Sequence, residues 1–256
     1  MEATKNSAEN IQKYLIIFTH IPKTAGTSLR HILMQQYGKD AVFMFYDDPT
    51  VTPKNADELL NELTSYFPYL PEVNDQNFNG LVKLRAISGH KPFGIHNLLP
   101  VNNFHYITLL REPIERVISF YYHIFGRTEH SLECLISCKQ SIQFDNLQVR
   151  MLSGVGWKVP YGHCSCNMLE QAKYNLLQYY TFGIQDRFAE SIEIFSKHLG
   201  WSQIQIVAEN VGINKPKSYK INQQTLHLIA EQNLLDIKLY QFAKQLFEER
   251  QKTSRT

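Results

Sequence analysis

The hydrophobic pattern of the chain opens with a strand, a loop and a helix. Residues 14–18, YLIIF, form a short β-branched apolar run of the kind found in buried strands. A loop-like segment follows, and in residues 28–38, SLRHILMQQYG, the residues Leu29, Ile32 and Leu33 recur at helical spacing. Gly38 supplies a C-cap for this predicted helix.

Two further apolar runs predict strands that each end beside a residue able to do chemistry. Residues 81–90, LVKLRAISGH, end at His90, and residues 104–110, FHYITLL, are followed by Arg111. Pro113 suits the first position of a helix. The aromatic pattern of IERVISFYYHIF, residues 114–125, continues that helix.

The remainder of the chain alternates predicted helices with two short strands. Helices are predicted over residues 143–152, 167–179 and 186–199, with strands at 180–184, YTFGI, and at 202–207, SQIQIV. Residues 47–80 are rich in Pro, Asn and Asp and hold one predicted helix, near 56–66. Residues 222–251 predict one long helix with a single apolar stripe, formed by Leu226, Ile229, Leu234, Ile237, Tyr240 and Phe247.

These elements fit one α/β domain with a central, mainly parallel sheet flanked by helices. The sequence shows no internal repeat, low-complexity tract or linker. We therefore expect a polar lead at residues 1–13 and a single domain over residues 14–256. The 256 residues, 43% of them apolar and 12% aromatic, suffice for a large buried core.

The charge and hydropathy of the chain limit which binding partners and which cellular location we expect. A formal net charge of +2 is too small to indicate a nucleic-acid-binding surface, so any anion site must be local. Residues 1–14, MEATKNSAENIQKY, lack the apolar segment of a secretory signal, and no uncharged apolar run approaches about 18 residues. We expect a cytoplasmic protein without stable membrane insertion, although the lumenal domain of a membrane-anchored enzyme would show the same pattern.

Four cysteines fall in two close pairs, Cys134 with Cys138 and Cys164 with Cys166. Their CxxxC and CxC spacings differ from the CxxC spacing usual in zinc sites. A zinc site and a disulfide between the pairs stay open as alternatives. Because a chain with a large core needs neither, we expect free thiols.

The loop after the first strand, within FTHIPKTAGTSLRHIL at residues 18–33, has the composition of a phosphate-binding loop. A loop between a buried strand and a helix N-terminus presents backbone N–H groups and the positive end of the helix dipole to an anion. Ala25 and Gly26 allow close approach of the backbone, and Thr27 and Ser28 add hydroxyl donors. Lys23 precedes the turn, whereas the lysine of a GxxxxGK[ST] loop adjoins the helix. An ammonium in this early position can neutralise a leaving phosphate oxygen without a metal ion; the alternative is a structural turn with an incidental lysine.

A second polar cluster, LLREPIERVISFYYH, begins where the strand at 104–110 ends. Arg111 lies just past that strand, and Arg116, Ser119 and His123 fall at i, i+3 and i+7 on one helix face. An arginine fork with a serine hydroxyl, at the carboxyl edge of a parallel sheet, would form a second phosphate site beside the first. An exposed helix with surface arginines is the alternative.

Together the two segments resemble the sulfotransferases that use 3′-phosphoadenosine 5′-phosphosulfate (PAPS). PKTAGTS resembles their 5′-phosphosulfate loop, and REPIERVISFYYH resembles their 3′-phosphate segment, in which an Arg and a later Ser hold the 3′-phosphate. Three further segments, SGHKPFG, NLQVRMLSG and LLDIKLYQFAKQLF, are similar to the branch containing heparan sulfate 2-O-sulfotransferase and its bacterial relatives. The resemblance runs from about Tyr14 to Phe247.

The resemblance implies a fold like that of P-loop nucleotide kinases, with PAPS as sulfate donor, adenosine 3′,5′-bisphosphate as its product and no metal requirement. By position, Lys23 would contact the 5′-phosphosulfate bridge, and Arg111 and Ser119 would hold the 3′-phosphate. Residues 214–220, NKPKSYK, align loosely with a loop that covers the cofactor. The residues that the resemblance places around the 5′-phosphate are Thr24, Gly26, Thr27 and Ser28.

A general base must take the proton of an acceptor hydroxyl, and a neutral histidine suits that role near pH 7. His90 ends a predicted strand at the same crevice as the loop, and it matches the catalytic histidine of the resembled branch. A strand-end histidine satisfied by a backbone carbonyl is the alternative. His96 and His123 are weaker candidates for the base, and His20 is expected beneath the loop as a packing or hinge residue.

The acceptor side is less defined by the sequence. Asn146 and Arg150, four residues apart in FDNLQVRMLSG, could engage an anionic or hydroxylated acceptor, or Arg150 could be a structural ion-pair partner. The resembled branch has two histidines framing a glycine where this chain has Ser88, Gly89 and His90. One substrate contact of that branch is therefore not carried over.

The sequence thus predicts a PAPS-dependent sulfotransferase that acts on a hydroxyl, with a saccharide as one candidate acceptor. A small-molecule or nucleoside kinase shares the fold, but it would place a lysine next to the helix and an acidic Mg²⁺ ligand after a strand, and neither pattern is evident. A catalytically inactive nucleotide- or glycan-binding relative is the third class, against which Lys23 and His90 argue.

Overall fold

The computed structural model describes residues 14–45, 58, 84–99, 101–125, 130–205 and 221–253. The strands in these ranges form one sheet in the order β2-β3-β1-β4-β5, and every neighbouring pair is parallel. The predicted parallel α/β architecture is confirmed, and β2 is a strand that the pattern did not predict. The bounds are β1 Leu15–Thr19, β2 Val42–Met44, β3 Ala86–Gly89, β4 Phe104–Leu110 and β5 Tyr180–Ile184.

Helices cover both faces of the sheet, as alternate strand residues point to opposite faces. Their bounds are α1 Gly26–Tyr37, α2 Pro113–Ile124, α3 Leu132–Ser137, α4 Leu147–Ser153, α5 Cys166–Tyr179, α6 Phe188–Leu199, α7 Gln223–Gln232 and α8 Leu234–Thr253. The helices α1 and α6 pack on the face that carries Ile16 and Phe18, whereas α4, α5 and α8 pack on the face that carries Ile17. A third apolar cluster joins α2, α3 and α7.

The strand order creates a crevice next to β1. β2 and β3 lie on one side of β1, and β4 and β5 lie on the other. Where the strand order reverses in this way, α/β proteins bind ligands at the carboxyl edge of the sheet. The loop between β1 and α1, residues 20–25, leaves the sheet at this edge.

The long helix predicted over residues 222–251 is instead two helices, α7 and α8, which meet at Asn233. The buried Asn233 donates from Nδ2 to the carbonyls of Phe144 and Ile229, at 2.8 and 2.9 Å. Its Oδ1 accepts from the backbone N–H of Asn146. Because these contacts break the helix, the predicted apolar stripe is interrupted, and Leu234 is 50% exposed.

Other elements differ from the predictions mainly at their ends. The helices predicted from 143 and 186 begin at Leu147 and Phe188, each after a short 3₁₀ turn, and α3 was not predicted. Residues 201–205 hold no strand, and the rest of SQIQIV lies outside the described residues. The predicted polar lead at residues 1–13 and the segment at 214–220 also lie outside the described residues. The same holds for the helix predicted near 56–66, apart from Glu58. In the parts of the chain listed above, no helix is long and apolar enough to cross a membrane.

Candidate active site

Two histidines meet at the carboxyl edge of the sheet because β1 and β3 end at the same level. Thr19 of β1 pairs with Gly89 of β3, so His20 and His90 are the next residues of two adjacent strands. Their ring centroids lie 4.5 Å apart, and the His20 ring also stacks on Phe18. The predicted proximity of His90 to the loop therefore follows from the register of the strands.

The loop between β1 and α1 has a strained backbone suited to an anion. Lys23 and Ala25 are left-handed, with φ of 71° and 67°, which costs roughly 1–2 kcal/mol for each non-glycine residue. Thr24 is buried between them, and its hydroxyl donates to a loop carbonyl at 2.9 Å. In the first turn of α1, Thr27 is exposed and Ser28 is half-buried. No described side chain caps α1 and its first turn holds no acidic residue, so its N–H groups and dipole favour a bound anion here.

The His20 ring fills the space in front of Gly26. A Cβ at Gly26 would overlap Cδ2 and Nε2 of that ring. Burial holds the pKa of His20 well below 6.5, and the charges of His90 and Arg30 add to this effect. His20 is therefore a neutral ring packed beneath the loop, in agreement with the role predicted for it.

Gly26→Ala should lower both the thermal stability of the protein and its affinity for adenosine 3′,5′-bisphosphate. The added methyl group overlaps the His20 ring, and overpacking of this kind costs about 1–3 kcal/mol. Thermal denaturation and calorimetric titration measure the two effects. In a His20→Ala background the same change should cost little stability, because the ring is gone. Equal stability of Gly26→Ala and the wild type would contradict the packing argument.

Arg111 joins the second predicted phosphate segment to the loop. Its Nη1 donates to the carbonyl of Lys23 at 3.1 Å, across 88 positions of sequence. Its Nη2 lies 3.4 Å from Glu115 Oε2, a long contact with a half-exposed carboxylate. The Arg111 side chain is 9% exposed, and its Nε has no partner among the residues that the structure describes. A buried guanidinium N–H of this kind, beside an anion-binding loop, fits a phosphate oxygen.

The three residues predicted to share one face of α2, namely Arg116, Ser119 and His123, differ in burial. Arg116 is fully buried and donates to a backbone carbonyl, and burial lowers its pKa to about 10. Ser119 is 8% exposed, and His123 lies exposed in the last turn of α2. The Nε and Nη1 of Arg116 have no partner among the residues that the structure describes, but its full burial favours a structural role for Arg116. A ligand role for Ser119 stays a prediction.

One hydrogen bond of His90 fixes which of its ring nitrogens can act as a base. Its Nδ1 lies 2.7 Å from the carbonyl oxygen of His20. Because a carbonyl oxygen only accepts, Nδ1 carries the proton and Nε2 keeps its lone pair. Burial lowers the pKa of His90 to about 4, so the ring is neutral at pH 7. The alternative to a catalytic role for His90 was a histidine bonded to a backbone carbonyl. That bond is present, but it occupies Nδ1 and leaves Nε2 able to take a proton.

His96 lies away from this edge of the sheet. Its ring stacks on that of Phe104, the first residue of β4, with centroids 4.2 Å apart. Its Nδ1 lies 2.9 Å from the hydroxyl of Tyr106. Since Phe104 opens β4, His96 lies toward the amino edge of the sheet, and the geometry favours His90 over His96 as the base.

Asn146 and Arg150 are held in the protein interior. Arg150 is fully buried and donates to the Asp145 carboxylate and to backbone carbonyls. Asn146 is 7% exposed, and its Oδ1 accepts from the N–H groups of Leu235 and Asp236. These contacts support the structural ion-pair alternative for Arg150, and we leave both residues out of the acceptor site. Spacing placed them on one helix face, but it gave no information on burial.

A hydrogen bond beside His90 could not be predicted from the sequence, because its two residues lie 58 positions apart. Arg30, on α1, donates from Nε to the Ser88 hydroxyl at 2.9 Å. After burial, the charge of Arg30 also contributes to the lowered pKa of His90. The only sequence signal was its place, one turn into the helix that follows the loop. Ser88, where the resembled branch has a histidine, thus holds an arginine close to the base.

All four cysteines are free thiols, as expected. The Sγ atoms of Cys134 and Cys138 lie 3.8 Å apart, and Cys164 lies 3.9 Å from the Asp145 carboxylate. Within the described ranges, no three His, Cys, Asp or Glu side chains come together as a metal-ion site. The four cysteines therefore do not form the disulfide alternative.

The sequence matches a known family over most of its length. The sequence model described as the Sulfotransferase family matches residues 11–243. This chain belongs to the Sulfotransferase family. The matched range contains the loop, His90 and Arg111, the elements that meet at the carboxyl edge of the sheet.

Among curated relatives, the chain is 26% identical to heparan-sulfate 6-O-sulfotransferase 2 of Gallus gallus, covering 92% of this chain and 67% of that protein. Identity to the Homo sapiens protein of the same name is also 26%, but the chain spans only 45% of its length. Heparan sulfate 2-O-sulfotransferase 1 of Pongo abelii is 22% identical, covering 96% of this chain and 73% of that one. The expected similarity to 2-O-sulfotransferases is confirmed, and it extends to 6-O-sulfotransferases.

The fold also matches a solved structure. A sulfotransferase from Alicyclobacillus acidocaldarius superposes with a TM-score of 0.50 at 12% identity, over 90% of this chain and 94% of that one. The expected sulfotransferase fold is thereby confirmed.

Proposed function

We propose that this protein transfers the sulfuryl group of PAPS to a hydroxyl of a carbohydrate acceptor. Membership of the Sulfotransferase family and similarity to heparan-sulfate sulfotransferases support the reaction and the acceptor class. The structural observation that carries the proposal is the hydrogen bond from Arg111 to the Lys23 carbonyl. It joins the two predicted donor-binding segments at one edge of the sheet.

The donor would be held from two sides. At its 5′ end, the N–H groups that open α1 and the Lys23 ammonium would bind the phosphosulfate. At its 3′ end, Nε of Arg111 would donate to the 3′-phosphate, assisted by Ser119. PAPS supplies a sulfuryl group whose transfer leaves negative charge on an oxygen of the 5′-phosphate. Lys23 would neutralise that charge as it develops.

On the acceptor side, His90 would take the proton of the attacking hydroxyl. Its Nε2 holds the lone pair, and the Nδ1 bond to the His20 carbonyl fixes the orientation of the ring. The proton moves to Nε2 as the acceptor oxygen bonds to sulfur and the bond from sulfur to the phosphate oxygen breaks. The positive charge of Arg30 disfavours the imidazolium, which returns its proton to solvent after transfer.

The two alternative classes are supported less well. A kinase is not favoured because the family match is to sulfotransferases and Lys23 precedes the turn instead of adjoining the helix. A binding protein without turnover would not need a histidine fixed in the base tautomer. The single domain over residues 14–256, the cytoplasmic location and independence from metal ions stay predictions.

Calorimetry with adenosine 3′,5′-bisphosphate and with ATP plus Mg²⁺ tests the donor class. We expect the bisphosphate to bind at least about tenfold more tightly, a difference of about 1.4 kcal/mol. Transfer of labelled sulfate from PAPS to heparan sulfate chains stripped of sulfate tests the acceptor class. A preference for Mg-ATP would overturn the proposal. Bisphosphate binding without transfer to any hydroxyl acceptor would favour the binding-protein alternative.

A further inference from the structure

Gln148, the second residue of α4, holds the backbone of Arg111 with both ends of its amide. Its Oε1 accepts from the Arg111 N–H at 3.0 Å, and its Nε2 donates to the Arg111 carbonyl at 2.9 Å. Gln148 is itself fully buried. One side chain thus makes the pair of hydrogen bonds that a neighbouring strand would make within a sheet.

These two bonds lie where the pairing of β4 ends. Leu110, the last residue of β4, pairs with Ile184, the last residue of β5. Arg111 lies one residue further, and its buried backbone N–H and C=O need partners there. Because Gln148 supplies both partners, it fixes the backbone from which the Arg111 side chain extends toward the loop.

Reciprocal caps between α4 and α8 hold Gln148 in place. The Asp236 carboxylate accepts from the N–H groups of Gln148 and Val149, at 3.0 and 2.7 Å. In return, Asn146 Oδ1 accepts from the N–H groups of Leu235 and Asp236, at 2.9 and 3.0 Å. A buried side chain at the start of each helix therefore caps the N-terminus of the other helix. The support behind Gln148 is built from buried, mutually satisfied groups.

We propose that Gln148 is a positioning residue for the sulfate donor, acting through Arg111. It holds the Arg111 backbone so that Nη1 reaches the Lys23 carbonyl and Nε stays directed to a ligand. The inference rests on the proposed function, because it takes Arg111 as the group that binds the 3′-phosphate. Gln148 then affects donor binding only when the Arg111 guanidinium is present.

A double-mutant cycle tests this dependence. Gln148→Met keeps a similar side-chain volume and removes both hydrogen bonds, and the Kd for adenosine 3′,5′-bisphosphate should rise about tenfold. Arg111→Ala should raise the Kd by at least that factor. In the Arg111→Ala background, Gln148→Met should change the Kd by less than about twofold. If the two substitutions instead raise the Kd by independent factors, so that their binding free energies add in the double variant, the proposal is wrong.

Asn175→Leu is the matched control. Asn175 is also a buried amide, and it donates to the Leu152 carbonyl of α4 at 2.8 Å and accepts from Gln171 at 2.9 Å. Its loss should lower Tm about as much as Gln148→Met does, yet leave the Kd within about twofold of the wild type. If Gln148→Met also lowers Tm without changing the Kd, Gln148 is structural only and the inference fails.

Two further results separate the possible causes of failure. A wild-type protein that does not bind the bisphosphate refutes the proposed function, whatever Gln148 does. Should Gln148→Met fold poorly, Gln148→Asn enters the same cycle, since it adds no charge to this buried position and its shorter amide cannot reach both Arg111 backbone groups in the same way. Its expected increase in Kd must likewise disappear in the Arg111→Ala background.

Discussion

His90→Ala should abolish sulfuryl transfer in a protein that still folds and binds the nucleotide. Removing a general base lowers kcat by about 10²–10⁴-fold. His90 fits this role because its Nδ1 is bonded to the His20 carbonyl and its Nε2 keeps the lone pair. The groups proposed to bind the donor are Lys23, the N–H groups at the start of α1, Arg111 and Ser119, so the Kd for adenosine 3′,5′-bisphosphate should change little. Steady-state kinetics with PAPS and calorimetry on the same preparation measure both quantities.

His96→Ala provides the control for this loss of activity. His96 is also half-buried with a pKa lowered by burial, but it is bonded to Tyr106 toward the other edge of the sheet. Its replacement should leave kcat within about threefold of the wild type. In the wild type, the lowered pKa of His90 keeps the base form at pH 5, so kcat/KM should fall only as the pH approaches about 4. Turnover of His90→Ala at the wild-type rate would assign the base to another residue.

The strands, and the site that depends on them, could be predicted because buried strands are short apolar runs with clear ends. β4 and β5 occupy the predicted residues, 104–110 and 180–184. Once the strands are parallel and β1 is central, the residues after their carboxyl ends must share one edge. The loop, His90 and Arg111 are therefore brought together by topology.

What could not be predicted depends on side chains that bond to distant backbone. The break at Asn233 relies on the Phe144 carbonyl, 89 positions away, and apolar periodicity across the break gives no sign of it. Gln148 reaches Arg111 across 37 positions by contacts that no local spacing encodes. For the same reason, helical spacing could not decide between the two roles that were open for Arg150, since only its buried partners favour the structural one.

Lys23→Ala should lower kcat by about 10²–10³-fold, which exceeds its effect on nucleotide affinity. The bridging oxygen carries more charge in the transition state than in the bound donor, so the ammonium acts mainly on the rate. The Kd for adenosine 3′,5′-bisphosphate should rise by no more than about tenfold, because the N–H groups of α1 and the Arg111 guanidinium remain. Alanine keeps a Cβ at this left-handed position, so the backbone strain of the loop is little changed.

Two companion variants decide how the Lys23 effect is interpreted. Lys39→Ala removes an equal charge from an exposed turn before β2 and should leave kcat and Kd unchanged. Lys23→Arg keeps the positive charge in a larger planar group, so it should recover nucleotide affinity more fully than kcat. If Lys23→Ala weakens binding and kcat stays high, the lysine only holds the donor. Lys23 stabilises the leaving group only if its loss lowers kcat, the rate of the chemical step, more than it weakens nucleotide binding.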